Sequence, residues 1–175
     1  MTFYVEMEED LLTGTVNEAA TATASDGSFD LDAVTEAVIK AFAADVKCPH
    51  ETQLNIVLVG DEEMRRINAE KRGRDEVTDV LSFPVSTYPA PADFGHLAGD
   101  VSAFDPDSGE LLLGDVVICS PRLRAQAEAF GHGIKREYAF LLLHSLLHLV
   151  GYEHDGDGVM EEKQEAILLG LGICR

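Results

Sequence analysis

Three histidines fall within eleven residues, in the run His144-Ser-Leu-Leu-His148-Leu-Val-Gly151-Tyr-Glu-His154. Residues four apart on a helix project from one face, so His144 and His148 can close on a single ion. Gly151 offers the positive-φ exit that other residues resist, and the turn it makes can swing His154 back to the same ion. Three neutral imidazole nitrogens with one coordination position left open describe a catalytic zinc rather than a structural one. Packing is a poor alternative, because each buried imidazole left unsatisfied on a leucine-rich helix costs on the order of 1–3 kcal/mol. His50, His96 and His132 stand alone in loop-like contexts and read as surface residues.

The same ligand spacing occurs in metzincin metalloproteases, where a glutamate follows the first histidine and serves as general base. Here that position is Ser145. A hydroxyl cannot take a proton from water near neutral pH as a carboxylate can. The ligand set fits a protease and the catalytic machinery does not.

The elements that must position these residues follow a mixed order. Phe3, Val5 and Met7 alternate with polar neighbours, as in a half-buried strand. Residues 8–29 are small and polar and form a variable connection. Asp30 can cap a helix whose apolar stripe is Leu31, Val34, Val38, Phe42 and Val46. Residues 54–59 form a buried strand ending at Gly60, and Asp61 starts a helix with Met64 and Ile67 inward and Arg65 and Arg66 outward. Residues 80–83 form a strand stopped by Pro84.

Residues 85–110, punctuated by Pro89, Pro91, Gly95, Gly99 and Pro106, read as a long loop, functional or mobile. A strand at 116–118 follows, then a helix over 121–130 with Ser120 as its cap, Pro121 first and Gly131 as its stop. The segment 134–149 is apolar on most sides, which makes it a central buried helix carrying His144 and His148. A last helix, capped near Asp157, buries Met160, Ile167, Leu168 and Leu171. The expected class is α+β: one domain over residues 1–175, a small mixed sheet packed with helices.

A chain of 175 residues can bury a sizeable core, and 46% apolar content is ordinary for a globular protein. No apolar run reaches the roughly 18 residues of a membrane span, and the N-terminus lacks the pattern of a signal peptide. Cys48, Cys119 and Cys174 are odd in number and unpaired in spacing, as in a reduced, cytoplasmic protein. The net charge of −19 opposes non-specific binding to phosphates. Yet nine of the 13 cations fall in two stretches, Arg65, Arg66, Lys71, Arg72, Arg74 and Arg122, Arg124, Lys135, Arg136. They are either solvated helix faces or a local positive track beside the histidines.

Three blocks resemble one family. The run from His144 to His154 is similar to the signature His-x-x-x-His-Leu-x-Gly-Tyr-Asp-His of the YbeY family of bacterial endoribonucleases. Thr78-Asp79-Val80-Leu81-Ser82-Phe83-Pro84 resembles its Pro-Thr-Asp-Val-Leu-Ser-Phe-Pro block, and Leu113-Gly114-Asp115-Val116-Val117-Ile118 its Leu-Gly-Asp-Ile-x-Ile block. The resemblance covers about residues 50–172. Glu153 replaces the usual aspartate, Val77 the proline before Thr78, and Lys71 stands where an aromatic is common.

The resemblance implies a single-strand-specific, zinc-dependent metallo-endoribonuclease. It implies action in maturation of the 3′ end of small-subunit (16S) ribosomal RNA and in late-stage ribosome quality control. His144, His148 and His154 match the three ligands of one zinc ion, and Arg72 matches an arginine that is functionally important. Implied partners are single-stranded RNA, ribosomal RNA and the ribosome, with a ribosomal protein and a ribosome-assembly GTPase beside them, and no membrane. A zinc ion so held lowers the pKa of its water towards about 7 or polarises a phosphate oxygen, while Arg72 stabilises charge on the pentavalent transition state. The base stays open between Glu153, Asp155 and no protein base at all. A small metalloprotease and a non-catalytic, zinc-stabilised assembly factor docking through its acidic face are the competing readings.

Overall fold

Alternation and short apolar runs build the sheet. A computed structural model describes residues 1–7, 29–154, 156 and 158–174. Its strands are β1 (Thr2–Met7), β2 (Thr52–Val59), β3 (Val80–Pro84) and β4 (Leu111–Cys119), in the spatial order β1-β2-β4-β3. The β1–β2 and β2–β4 pairs are parallel and β3 runs antiparallel to β4, so the sheet is mixed as expected. Pro84 closes β3 on the sheet's edge, where its missing N–H costs no ladder bond.

β4 begins at Leu111, five residues before the strand expected from sequence. Its extra length is stabilised by partners that are distant in sequence, including an antiparallel bridge between Leu111 and Phe104. Gly114, at φ 138°, faces the backbone of Phe83, and a Cβ there would meet the Phe83 carbonyl oxygen at 2.1 Å. Only glycine lets β3 lie this close to β4.

The sheet is covered on both faces. Val116 and Ile118 of β4 join the larger core, with α1 (Leu31–Asp45), α4 (Ile134–Leu149) and α5 (Val159–Gly170) packed on it. The alternate residues Val117 and Cys119 face a smaller cluster with Met64 of α2 (Asp61–Arg72). The Asp30 carboxylate accepts from the Ala33 amide at 3.0 Å, capping α1 as anticipated. α3 (Ser120–Ala129) differs: Cys119 takes the cap position and Ser120 is already helical, with no side-chain cap. Asp157 lies outside the described residues, and α5 starts after Gly158, at φ 76°.

α4 runs through the middle with Tyr138, Leu142, Leu143, Leu146 and Leu147 fully buried, which is why a helix apolar on most sides is stable here. Tyr138 shares a 2.6 Å hydrogen bond with Thr35 of α1, so its phenol is satisfied. The stretch 85–110 departs from a plain loop. It holds two short 3-10 turns, Phe94–Leu97 and Val101–Ala103, and sends Phe94, Leu97 and Ala103 into the core. The Ala92 amide donates to the Val150 carbonyl at 2.8 Å, tying this stretch to the end of α4. All three cysteines are free, and no helix among the described residues is long and apolar enough to cross a membrane.

Candidate metal centre and the clefts beside it

His144 and His148 sit one turn apart on α4, and their Nε2 atoms lie 3.2 Å from each other. α4 ends at Val150, and Gly151, at φ 88°, turns the chain back. A Cβ at Gly151 would come within 2.8 Å of Tyr88 Cβ, so the turn is closed against the 85–110 stretch. His154 then returns to the first two rings, 5.1 Å from each between centroids. One ligand atom from each histidine lies within 4.8 Å of the others, a group that could hold a metal ion.

The rings are held from behind. His148 Nδ1 lies 2.8 Å from the Tyr152 carbonyl, His154 Nδ1 2.6 Å from Glu161 Oε1, and His144 Nδ1 3.3 Å from Gln164 Oε1. Gln164 donates its own amide N–H to the Phe140 carbonyl at 2.9 Å, which orients its oxygen towards His144. Carbonyl and carboxylate oxygens only accept, so each Nδ1 carries the proton and each Nε2 keeps its lone pair free for an ion. Burial pushes the His144 pKa down, with the neighbouring His148 acting the same way, which favours the neutral ligand form. The hydrogen bond from His154 holds the Glu161 carboxyl below its ordinary range.

Two clefts open from this group. One, of about 540 Å³, is walled by His144 and His148, by Arg72 at the end of α2 and Arg74 just beyond it, and by Glu76, Asp79, Ser82 and Glu153. Arg72 Nη2 donates to the Ser82 carbonyl at 2.8 Å, and its guanidinium lies over the Phe83 ring at 5.6 Å. The other cleft, of about 370 Å³, is walled by His144, His154, Arg136, Phe140 and apolar residues of α5.

The family model described as Endoribonuclease YbeY matches residues 17–172. The chain belongs to the YbeY endoribonuclease family. A relative named Endoribonuclease YbeY from Agathobacter rectalis is 45% identical over 152 residues, covering 85% of this chain and 92% of the relative. One of the same name from Lachnoclostridium phytofermentans is 45% identical over 151 residues, covering 84% and 92%. The solution structure of TM1509 from Thermotoga maritima is 24% identical, covers 81% of this chain and 83% of its own, and has a TM-score of 0.48. The enzyme class expected from sequence, an RNA-cleaving hydrolase, is that of the YbeY family. The family match starts at residue 17, well before the stretch of about residues 50–172 that the resemblance covers.

The structure brings His144, His148 and His154 together and sets Arg72 in the cleft that His144 and His148 line. The basic stretches divide. Arg65 is paired with Asp75, and Arg66 with Glu63 and Glu70, as solvated helix cations; Arg72 and Arg74 face the polar cleft and Arg136 the apolar one. Glu153 lines the polar cleft, while Asp155 lies outside the described residues. Ser145 is buried, away from both clefts. His132 is not a surface residue. Its ring lies 3.0 Å from the buried Glu137 carboxylate and 3.0 Å from Arg136 Nη1. His50 packs edge-on against Phe104, and of these three lone histidines His96 is exposed. Gln164 and Glu161 escaped the sequence reading. Gln164 had left a signal, a polar residue in the buried stripe Met160, Gln164, Ile167, Leu168 of α5.

Proposed function

We propose that this chain is a single-strand-specific, zinc-dependent endoribonuclease acting on the 3′ end of small-subunit ribosomal RNA and in late ribosome quality control. In this reading residues 1–175 work as one cytoplasmic domain, with ribosomal RNA and the ribosome, a ribosomal protein and an assembly GTPase as partners. One observation carries the reading: three imidazoles anchored through Nδ1 turn their Nε2 atoms to a common point, and a guanidinium shares a cleft with two of them, His144 and His148.

The donor set suits zinc. The 3.2 Å between His144 and His148 Nε2 approaches the edge of a tetrahedron of zinc–nitrogen bonds of about 2.0–2.1 Å, roughly 3.3 Å. His144, His148 and His154 would hold the ion, which when bound supplies Lewis-acid polarisation and a more acidic water. Arg72 does the phosphate's work. One Nη donates to Ser82, and the remaining donors of the fork are directed to phosphate oxygens, where charge accumulates as the fifth bond to phosphorus forms. Glu153 is the candidate acceptor of the water proton. Two other carboxylate residues, Glu76 and Asp79, line the cleft; Asp79 is committed, since Oδ1 accepts from the Val80 amide and Thr78 hydroxyl, and Oδ2 from Gln126.

Wild-type protein, His148→Ala and Arg72→Glu are assayed on single-stranded ribosomal RNA and on casein, with metal content measured alongside. The expected result is RNA cleavage lost with the metal in His148→Ala and lost without metal loss in Arg72→Glu. RNA cleavage that survives metal loss overturns the zinc mechanism, and casein cleavage restores the protease reading.

A further inference from the structure

The apolar cleft on the other side of the histidines has no part in the chemistry just described. Arg136, Phe140, His144 and His148 follow at every fourth position of α4 and so share one face of a leucine-rich helix. Their flat groups are stacked in series. Arg136 lies over the Phe140 ring at 5.7 Å, Phe140 stacks on His144 at 6.1 Å with 16° between planes, and His144 on His154 at 5.1 Å with 27°. Before the helix, Phe130 stacks on His132 at 6.0 Å and is 72% exposed. A ladder of planar side chains thus leads from solvent to the metal ligands.

The facing wall is α5, where Leu168 is buried and Leu169 is 65% exposed, followed by Ile173. Among the described residues the cleft has one arginine, Arg136, and two glutamates, Glu161 and Glu165, which makes it a poor seat for phosphate. Arg72 and Arg74 provide that seat in the other cleft. An apolar slot with an aromatic wall and a polar rim suits a flat, uncharged heteroaromatic ring. His144 lines both clefts, so a strand with a phosphate at the histidines continues directly into this one.

We propose that the cleft between Phe140 and Leu169 is a nucleobase subsite, taking the base next to the scissile phosphate. The inference rests on the endoribonuclease reading and deepens it. A base within a duplex is already stacked and paired, so a slot that takes one favours single strands.

The test uses the metal-loaded enzyme and a single-stranded RNA oligonucleotide with one mapped cut. Matched oligonucleotides carry an abasic residue at each position flanking the cut. Phe140→Leu keeps apolar volume and removes the aromatic face, and Leu169→Glu changes an exposed side chain at the cleft's mouth. For the wild type, one flanking abasic position is expected to lower kcat/KM on the order of tenfold, the size of one base–aromatic stack. Both variants should lose about as much on intact RNA and almost nothing further on that abasic RNA. If Phe140→Leu loses metal, Leu169→Glu decides. Independent, multiplying losses, or a wild type indifferent to both flanking bases, overturn the subsite while leaving Arg72-dependent cleavage standing. Failure of the wild type to cut any of the RNAs overturns the endoribonuclease reading and the subsite with it.

Discussion

Glu161 Oε1 lies 2.6 Å from His154 Nδ1, the shortest of the three contacts that hold the imidazoles from behind. The difference follows from where the rings sit. His144 and His148 are carried by α4, whereas His154 comes from the irregular stretch after Gly151 and its side chain is half exposed. A charged acceptor makes a stronger bond than an amide or backbone carbonyl, and the least supported ring has it. Glu161→Ala is expected to weaken metal affinity roughly 10–100-fold, the usual cost of losing such a partner. Glu161→Gln, which keeps an acceptor without the charge, should fall between that variant and the wild type. Competition against a chelator measures both, and equal affinities for all three proteins would remove Glu161 from the site.

Gly151 joins a backbone requirement to a packing one. Its φ of 88° disfavours any side chain, and Tyr88 Cβ leaves no room for a methyl group. Gly151→Ala is expected to lower stability by about 1–3 kcal/mol from the backbone term alone. The turn must also shift, so His154 should leave the other two rings. Thermal unfolding reads the first effect and metal stoichiometry the second. A variant with full metal content and an unchanged Tm contradicts the closeness of this turn.

Local signals made much of this legible. Asp30, the apolar stripe of α1, the long apolar run of α4 and Pro84 at the end of β3 act within a few residues of where they stand, so their elements could be read directly. What escaped is set by distant partners. The early start of β4 depends on β2 and Phe104, and the packing of Phe94 and Leu97 depends on a stretch tied to Val150. His132 is drawn inward by Glu137, whose burial in α4 no neighbouring residue announces. At the site, the pairing of His144 and His148 on α4 is a matter of helical spacing. Glu161 becomes visible only once the turn at Gly151 has placed His154 beside α5.

Arg72 is held by the Ser82 carbonyl on one side and the Phe83 face on the other. A planar fork can keep both contacts and still point donors at a phosphate; an ammonium cannot. Arg72→Lys should therefore lower cleavage of single-stranded RNA roughly 10–100-fold although the charge is kept, with a larger loss for Arg72→Ala. Metal content and Tm should not change, because the side chain is exposed. Full activity in Arg72→Lys would reduce its role to charge alone.

Glu137 gives a pH prediction away from the three clustered histidines. Its carboxylate is buried in the first turn of α4, 3.0 Å from His132 Nε2 and 3.9 Å from Arg136. Burial pushes its pKa above the ordinary 4.5; Arg136 pulls it down and Asp79 pushes it up, and burial prevails. The folded state therefore holds this proton more tightly than the unfolded chain does. The resulting stability is present in full below the unfolded value and is lost as pH rises through the raised folded one. Glu137→Gln abolishes the titration while keeping the shape. In urea unfolding from pH 4.5 upward, the wild type should lose stability relative to Glu137→Gln as pH rises, then hold a constant difference once Glu137 is ionised in both states. A difference that never changes with pH would mean that Glu137 ionises as easily when folded as when unfolded, against what its burial dictates.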